Sequence, residues 1–157
     1  DVVRTAIQSI KYRFVSDIAS EFVRLVPFSA YEIRSLVGNP HAVLIPVPLH
    51  RTRRLYRGFN QSERLGAYVA KVLNVPMRTD ILDRAVETKP QVEMNDKAER
   101  LANVRHAFTV HRAAIDDSHL VALLFDDVFT TGATMRDAAS CLKHNGIGHV
   151  WCVTMAR

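Results

Sequence analysis

Two adjacent acids, Asp126 and Asp127, follow the apolar run Leu120 to Phe125 and precede a loop of hydroxyls and small residues, so that the stretch reads LVALLFDDVFTTGAT. Paired carboxylates close together can accept hydrogen bonds from a vicinal diol. Beyond them, Met135, Ala138, Ala139 and Leu142 fall at i, i+3, i+4 and i+7, which predicts a helix beginning near Gly132 with one apolar face. The amides of Thr130, Thr131, Gly132, Ala133 and Thr134 would then lie at a helix N-terminus, where unpaired N–H groups and the dipole favour an anion. Gly132 permits close backbone approach, and the three threonines add hydroxyl donors. Together these groups suit a sugar phosphate. The element that must position them is a buried strand emptying into a loop at its carboxyl end.

A second chemically dense stretch is Leu49 to Gln61, LHRTRRLYRGFNQ, which packs Arg51, Arg53, Arg54 and Arg57 closely together. Before it, Ala42 to Pro48 reads as the first core strand, with prolines at its end. After it, Asn60 and Glu63 resemble a helix cap, and Leu65, Val69, Val72 and Leu73 supply an apolar face. The arginines are therefore expected in a loop between strand and helix. Guanidinium forks match the oxygens of a pyrophosphate bidentately. The same loop, with Tyr56 and Phe59 as stacking platforms, also fits a nucleic-acid contact.

The flanking segments carry less chemistry. Val2, Val3, Ala6, Ile7 and Ile10, then Phe14, Ile18, Phe22 and Leu25, predict two packing helices before Pro27. Val75 to Met77, Ile81 to Leu82, Ala107 to Val110 and His149 to Met155 read as strands, with Asn145 and Gly146 ending the preceding helix. Between Arg84 and Asn103 the chain turns polar, and so long an excursion in a compact domain is either functional or disordered. Trp151 and the two cysteines, Cys141 and Cys152, read as core residues.

Composition narrows the class. The 157 residues are 48% hydrophobic and 24% charged, which fits one domain with a proper core, here residues 1–157. The longest apolar runs are strand-length and no signal segment opens the chain, so a cytoplasmic protein without membrane insertion is expected. Histidines and cysteines show no metal-ligand spacing, and no structural zinc is predicted. A net charge of +5 favours an anionic ligand or partner. Neither G-x-x-x-x-G-K-[ST] nor G-x-G-x-x-G occurs, which argues against a nucleotide hydrolase and a dinucleotide fold.

The apolar strand, paired acids and TTGAT together resemble the phosphoribosyl-pyrophosphate (PRPP) signature of type I phosphoribosyltransferases. With PVPLHRTRRLYRGFNQ, LDRAVETKPQ and ERLANVRHAF they also resemble the ComF family of competence-associated phosphoribosyltransferase-like proteins, which includes the GntX group. Members of that family commonly carry an N-terminal four-cysteine zinc ribbon, for which these residues supply no ligands.

The resemblance implies an α/β fold, a mostly parallel central sheet flanked by helices, with a flexible hood over about residues 84–106. It also implies that Asp126 and Asp127 grip the ribose, that Thr130 to Thr134 wrap the 5′-phosphate and that Arg53, Arg54 and Arg57 bind pyrophosphate. Arg57 joins the two acids in the expected catalytic set, and Lys89, Gln91 and Arg100 belong to the hood. Mg²⁺ would arrive with PRPP rather than on direct protein ligands. No stretch reads as a purine or pyrimidine pocket; Glu93 and Glu99 are candidate general bases. Two functions follow: a phosphoribosyltransferase acting on a nitrogen acceptor, or a non-catalytic PRPP sensor working through single-stranded DNA or a competence helicase.

Overall fold

The computed structural model describes residues 39–86, 107–115, 117 and 119–156. The expected N-terminal helices and the residues Lys89, Gln91, Glu93, Glu99 and Arg100 lie outside that set. Strand β1 (Ala42–Pro46) pairs in parallel with β4 (Val121–Val128), and β4 pairs in parallel with β5 (His149–Ala156), so β4 is the central strand. A separate antiparallel ribbon joins β2 (Leu82–Arg84) to β3 (Phe108–Val110).

The unbroken apolar run of β4 is explained by cover on both faces. Its side chains alternate. Leu123 and Phe125 join Leu44 and the Leu65, Val69 and Leu73 stripe of helix α2 (Gln61–Leu73). Ala122 and Leu124 join Val43, Ile45 and the Met135, Ala138 and Leu142 stripe of helix α3 (Ala133–His144). Gly66 lets α2 lie close on the sheet, since a Cβ there would stand 3.0 Å from the Leu44 side chain. The ribbon packs on the α3 side through Leu82 and Phe108. Ala85 and Val86 N–H donate to the Ala107 carbonyl at 2.9 and 3.3 Å, and Ala107 N–H donates to Asp137 of α3 at 2.9 Å. The described residues on either side of the polar excursion thus meet beside α3.

Several expectations are corrected. The arginine stretch is a helix, α1 (Arg51–Arg57), rather than a loop: His50 accepts from Thr52 N–H at its start, and Gly58, at φ 76°, closes it with an N–H bond to the Arg54 carbonyl. Val72 is 51% exposed. It lies about a quarter-turn from the centre of a stripe set by Leu65, Gly66, Val69 and Leu73. Trp151 is 43% exposed and Cys152 exposed, while Cys141 is half-buried. Among the described residues β5 is the outer strand, and α2 lies over β1 and β4 instead. Met77 makes only an isolated bridge to Leu44, and the strand expected at Ile81 to Leu82 runs from Leu82 to Arg84.

Asn60 fixes α2 to the sheet. Its Oδ1 accepts from Ser62 N–H at 3.1 Å, and its Nδ2 donates to the Val47 carbonyl at 3.0 Å, just past β1. Asn60→Ala removes a cap and strands a buried carbonyl, so a loss of about 2 kcal/mol in urea unfolding is expected. A loss below about 0.5 kcal/mol would show that the helix is held by its apolar face alone.

Candidate functional site

The carboxyl end of β4 delivers the two acids into unlike surroundings. Asp127 is buried, and its Oδ1 accepts the Val128 N–H at 3.0 Å. Asp126 is partly buried, and its Oδ1 accepts two bonds, from Asp127 N–H at 2.9 Å and from Ser62 Oγ–H at 2.7 Å. Burial, then the charge of Asp127, pushes the Asp126 carboxyl up to about 7, although the Ser62 hydroxyl favours the anion.

Past them the chain turns through Phe129 to Gly132 and enters α3. Gly132 takes φ 72° at the N-cap, where its missing side chain leaves room for the Phe129 ring. Thr131 Oγ1 accepts from Ala133 N–H at 3.4 Å, and the Arg136 guanidinium folds back onto the Thr131 carbonyl at 2.8 Å. Thr130 is exposed, Thr131 and Thr134 are half-buried, and Ala133 is buried. The acids and the threonine loop therefore occupy one end of the sheet.

The arginines divide. Arg54 is held by Glu63 through two bonds of 3.1 and 3.2 Å. Arg51 and Arg57 are exposed, as are Leu55 (75%) and Tyr56 (92%). Arg53 is half-buried and lies near Arg84 of β2, whose guanidinium sits 5.4 Å from the centre of the Phe108 ring. Burial, then the neighbouring Arg53 charge, holds Arg84 below the usual guanidinium range, with Asp126 and Asp137 acting in the opposite direction. Phe59 carries the Arg64 guanidinium 4.2 Å above its ring.

Sequence reasoning missed Ser62 and Arg84. Ser62 follows RGFNQ in the first turn of α2, and Arg84 opens the polar excursion within LDRAVETKPQ. Their roles depend on chain segments far apart in sequence meeting at Asp126. Among the described residues, no three His, Cys, Asp or Glu side chains converge as a protein-built metal site requires. Two carboxylates at the edge of a phosphate-type loop fit Mg²⁺ held largely by ligand oxygens and water.

A parallel α/β sheet with paired acids and a threonine-rich loop at the carboxyl edge of its central strand defines this as a type I phosphoribosyltransferase fold. The structure of the allosteric regulatory enzyme of purine biosynthesis shares it with TM-score 0.54 at 15% identity, over 90% of this chain and 26% of that one. Glutamine PRPP amidotransferase from Bacillus subtilis does so with TM-score 0.53 at 14% identity, over 89% and 26%. No family model matches the chain.

Among curated proteins, competence protein F of Haemophilus influenzae is 30% identical over 118 residues, covering 75% of this chain and 51% of that protein. DNA utilization protein YhgH of Escherichia coli O157:H7 is 31% identical over 151 residues, 94% of this chain and 64% of that one. Competence protein ComFC of Bacillus subtilis is 29% identical over 154 residues, 93% and 55%. The chain belongs to the ComF family, and it spans between 51% and 64% of the length of these relatives. Among the described residues no helix is long and apolar enough to cross a membrane.

Proposed function

We propose that this domain binds PRPP and transfers its phosphoribosyl group to a nitrogen acceptor. The observation that carries the reading is the placement of Asp126 and Asp127 at the carboxyl end of the central strand, with Phe129 to Gly132 turning directly into the N-terminus of α3. In this reading the amides and hydroxyls of Thr130 to Thr134 hold the 5′-phosphate, and the two carboxylates accept the ribose hydroxyls. Arg53, with Arg57 at the mouth, faces the pyrophosphate. Arg54 contributes through α1 by its tie to Glu63.

The C1–O bond to pyrophosphate breaks with its electron pair leaving on oxygen. A C1–N bond then forms, and the acceptor nitrogen releases a proton. The paired acids stabilise positive charge developing on the ribose ring, and the arginines stabilise negative charge on the leaving group. Mg²⁺ bound with PRPP would neutralise pyrophosphate charge. The names of the relatives tie them to competence and DNA utilization, and we place the reaction or its ligand binding in that process, in the cytoplasm.

The exposure of Tyr56 and Leu55 beside Arg51 and Arg57 favours a second reading, in which the domain senses PRPP without turnover and α1 meets single-stranded DNA or a helicase. Pyrophosphate release separates the two. Purified protein given PRPP, Mg²⁺ and a panel of bases and amines is expected to release pyrophosphate, and Asp127→Asn to abolish release. Saturable PRPP binding with no release across the panel would reject transfer and leave the sensor.

A further inference from the structure

We infer that Ser62 is a positioning residue for the acidic pair: its hydroxyl fixes which oxygen of Asp126 is offered to the ligand's diol and keeps that carboxylate a hydrogen-bond acceptor. The inference rests on the PRPP reading above and assigns a role to the first turn of α2, a helix otherwise explained by packing.

The geometry is specific. Ser62 is 4% exposed, so water does not compete freely for its hydroxyl. Its bond to Asp126 Oδ1 is 2.7 Å long and joins residues 64 positions apart, so it exists only when α2 is docked beside β4. That docking is fixed by Asn60, which caps α2 and holds the Val47 carbonyl. Ser62 Oγ–H and Asp127 N–H both donate to Oδ1. Two donors on one oxygen orient the carboxylate and commit its other oxygen to the opposite side. A carboxylate is acceptor-only on both oxygens when ionised, whereas its protonated form turns one oxygen into a donor and accepts more weakly.

The surroundings make this hold consequential. Asp127, on the same strand, and burial both favour the protonated form of Asp126. Arg84 of β2 is the nearby cation; it is itself flanked by Arg53 of α1 and Asp137 of α3. Glu63 of α2 is occupied by Arg54. From β5 the residue paired with Asp126 is the uncharged Thr154, and β1 ends at Pro46. Ser62 is thus, among the described residues, a neutral donor that favours the anion from outside β4.

The test compares unchanged protein with Ser62→Ala and Ser62→Thr. Carboxyl ¹³C titration of the ligand-free protein, with Asp126 assigned by its loss in Asp126→Asn, is paired with PRPP calorimetry across pH 6 to 9 in the presence of Mg²⁺. In Ser62→Ala the Asp126 midpoint is expected to rise by about one pH unit, the tenfold in proton affinity that a hydrogen bond to a charged group is worth. PRPP affinity at pH 7 should fall about fivefold, the ratio of the ionised fractions, and recover most of that loss by pH 9. Ser62→Thr, which retains the hydroxyl, should restore both.

An unmoved Asp126 midpoint, or an affinity loss equal at every pH, would overturn the inference and leave Ser62 a packing residue. Unchanged protein that ignores PRPP at every pH would overturn the ligand reading instead, and the ligand-free titration would still decide whether Ser62 governs Asp126.

Discussion

Asp126→Asn is expected to be more stable than the unchanged protein at pH 8 while losing PRPP binding. The Asp126 carboxyl is raised to about 7 in the folded chain, first by burial and then by Asp127. In the unfolded chain it reverts to an ordinary value near 4. A group whose folded pKa lies above its unfolded pKa binds protons more tightly when folded, so its ionisation opposes folding. The penalty is absent below about pH 4, grows as pH rises and is complete above about pH 7. Allowing for solvent at a partly exposed site, the gain from asparagine is about 2 kcal/mol at pH 8, or roughly 5 °C in Tm. At pH 5 it should shrink to less than half. Thermal melts at the two pH values check the sign. A variant destabilised equally at both would mean that Asp126 serves the fold rather than a ligand. Loss of binding alongside gain of stability is expected where charge is held for function.

Gly132→Ala should damage both the fold and the site. A Cβ at Gly132 would lie 2.5 and 2.8 Å from two Phe129 ring carbons and 2.9 Å from an Arg136 guanidinium nitrogen, at a residue held at φ 72°. Phe129 is packed against the core and cannot swing away without opening it. Left-handed backbone at alanine costs about 1 kcal/mol before any clash. With displacement of the ring, about 3 kcal/mol is expected in denaturant unfolding. The β4 to α3 turn would shift, and on the proposed PRPP reading by enough to weaken binding about a hundredfold. Gly58→Ala is the control: it has a similar φ of 76° but nothing within 4 Å of the added Cβ. It should cost only about 1 kcal/mol. Equal losses at the two glycines would indicate backbone strain alone and no special constraint on the loop.

These contrasts show which features a one-dimensional reading reaches. The central strand was legible because Leu120 to Phe125 is apolar without interruption, as a strand covered on both faces must be. The α3 stripe and its stop at Asn145 and Gly146 were legible from helical spacing and a turn residue. The arginine helix was not: RTRRLYR has no buried residue and therefore no apolar periodicity, and only the His50 and Gly58 caps define it. Trp151 was misplaced because alternation marks which face a residue takes, whereas its exposure depends on how far α2 reaches across the sheet.

The site divides in the same way. Asp126, Asp127 and Thr130 to Thr134 lie in one stretch of chain, so their meeting at the end of β4 was legible from order alone. Ser62 and Arg84 come from other elements, and their meeting with Asp126 is a product of strand order and helix docking. Arg54 belongs to the expected arginine set, yet Glu63 holds its guanidinium. No spacing rule could have separated it from Arg53.

Calorimetric titration of PRPP with and without Mg²⁺ asks whether the β4 to α3 turn is a PRPP site. Saturable one-to-one binding is expected, strengthened by Mg²⁺ and weakened about tenfold or more by Thr131→Ala and by Asp127→Asn, as when a charge-assisted contact is lost. Heat indistinguishable from dilution for the unchanged, folded protein with and without the metal would contradict it, and α1 would then be the surface on which to seek an anionic partner.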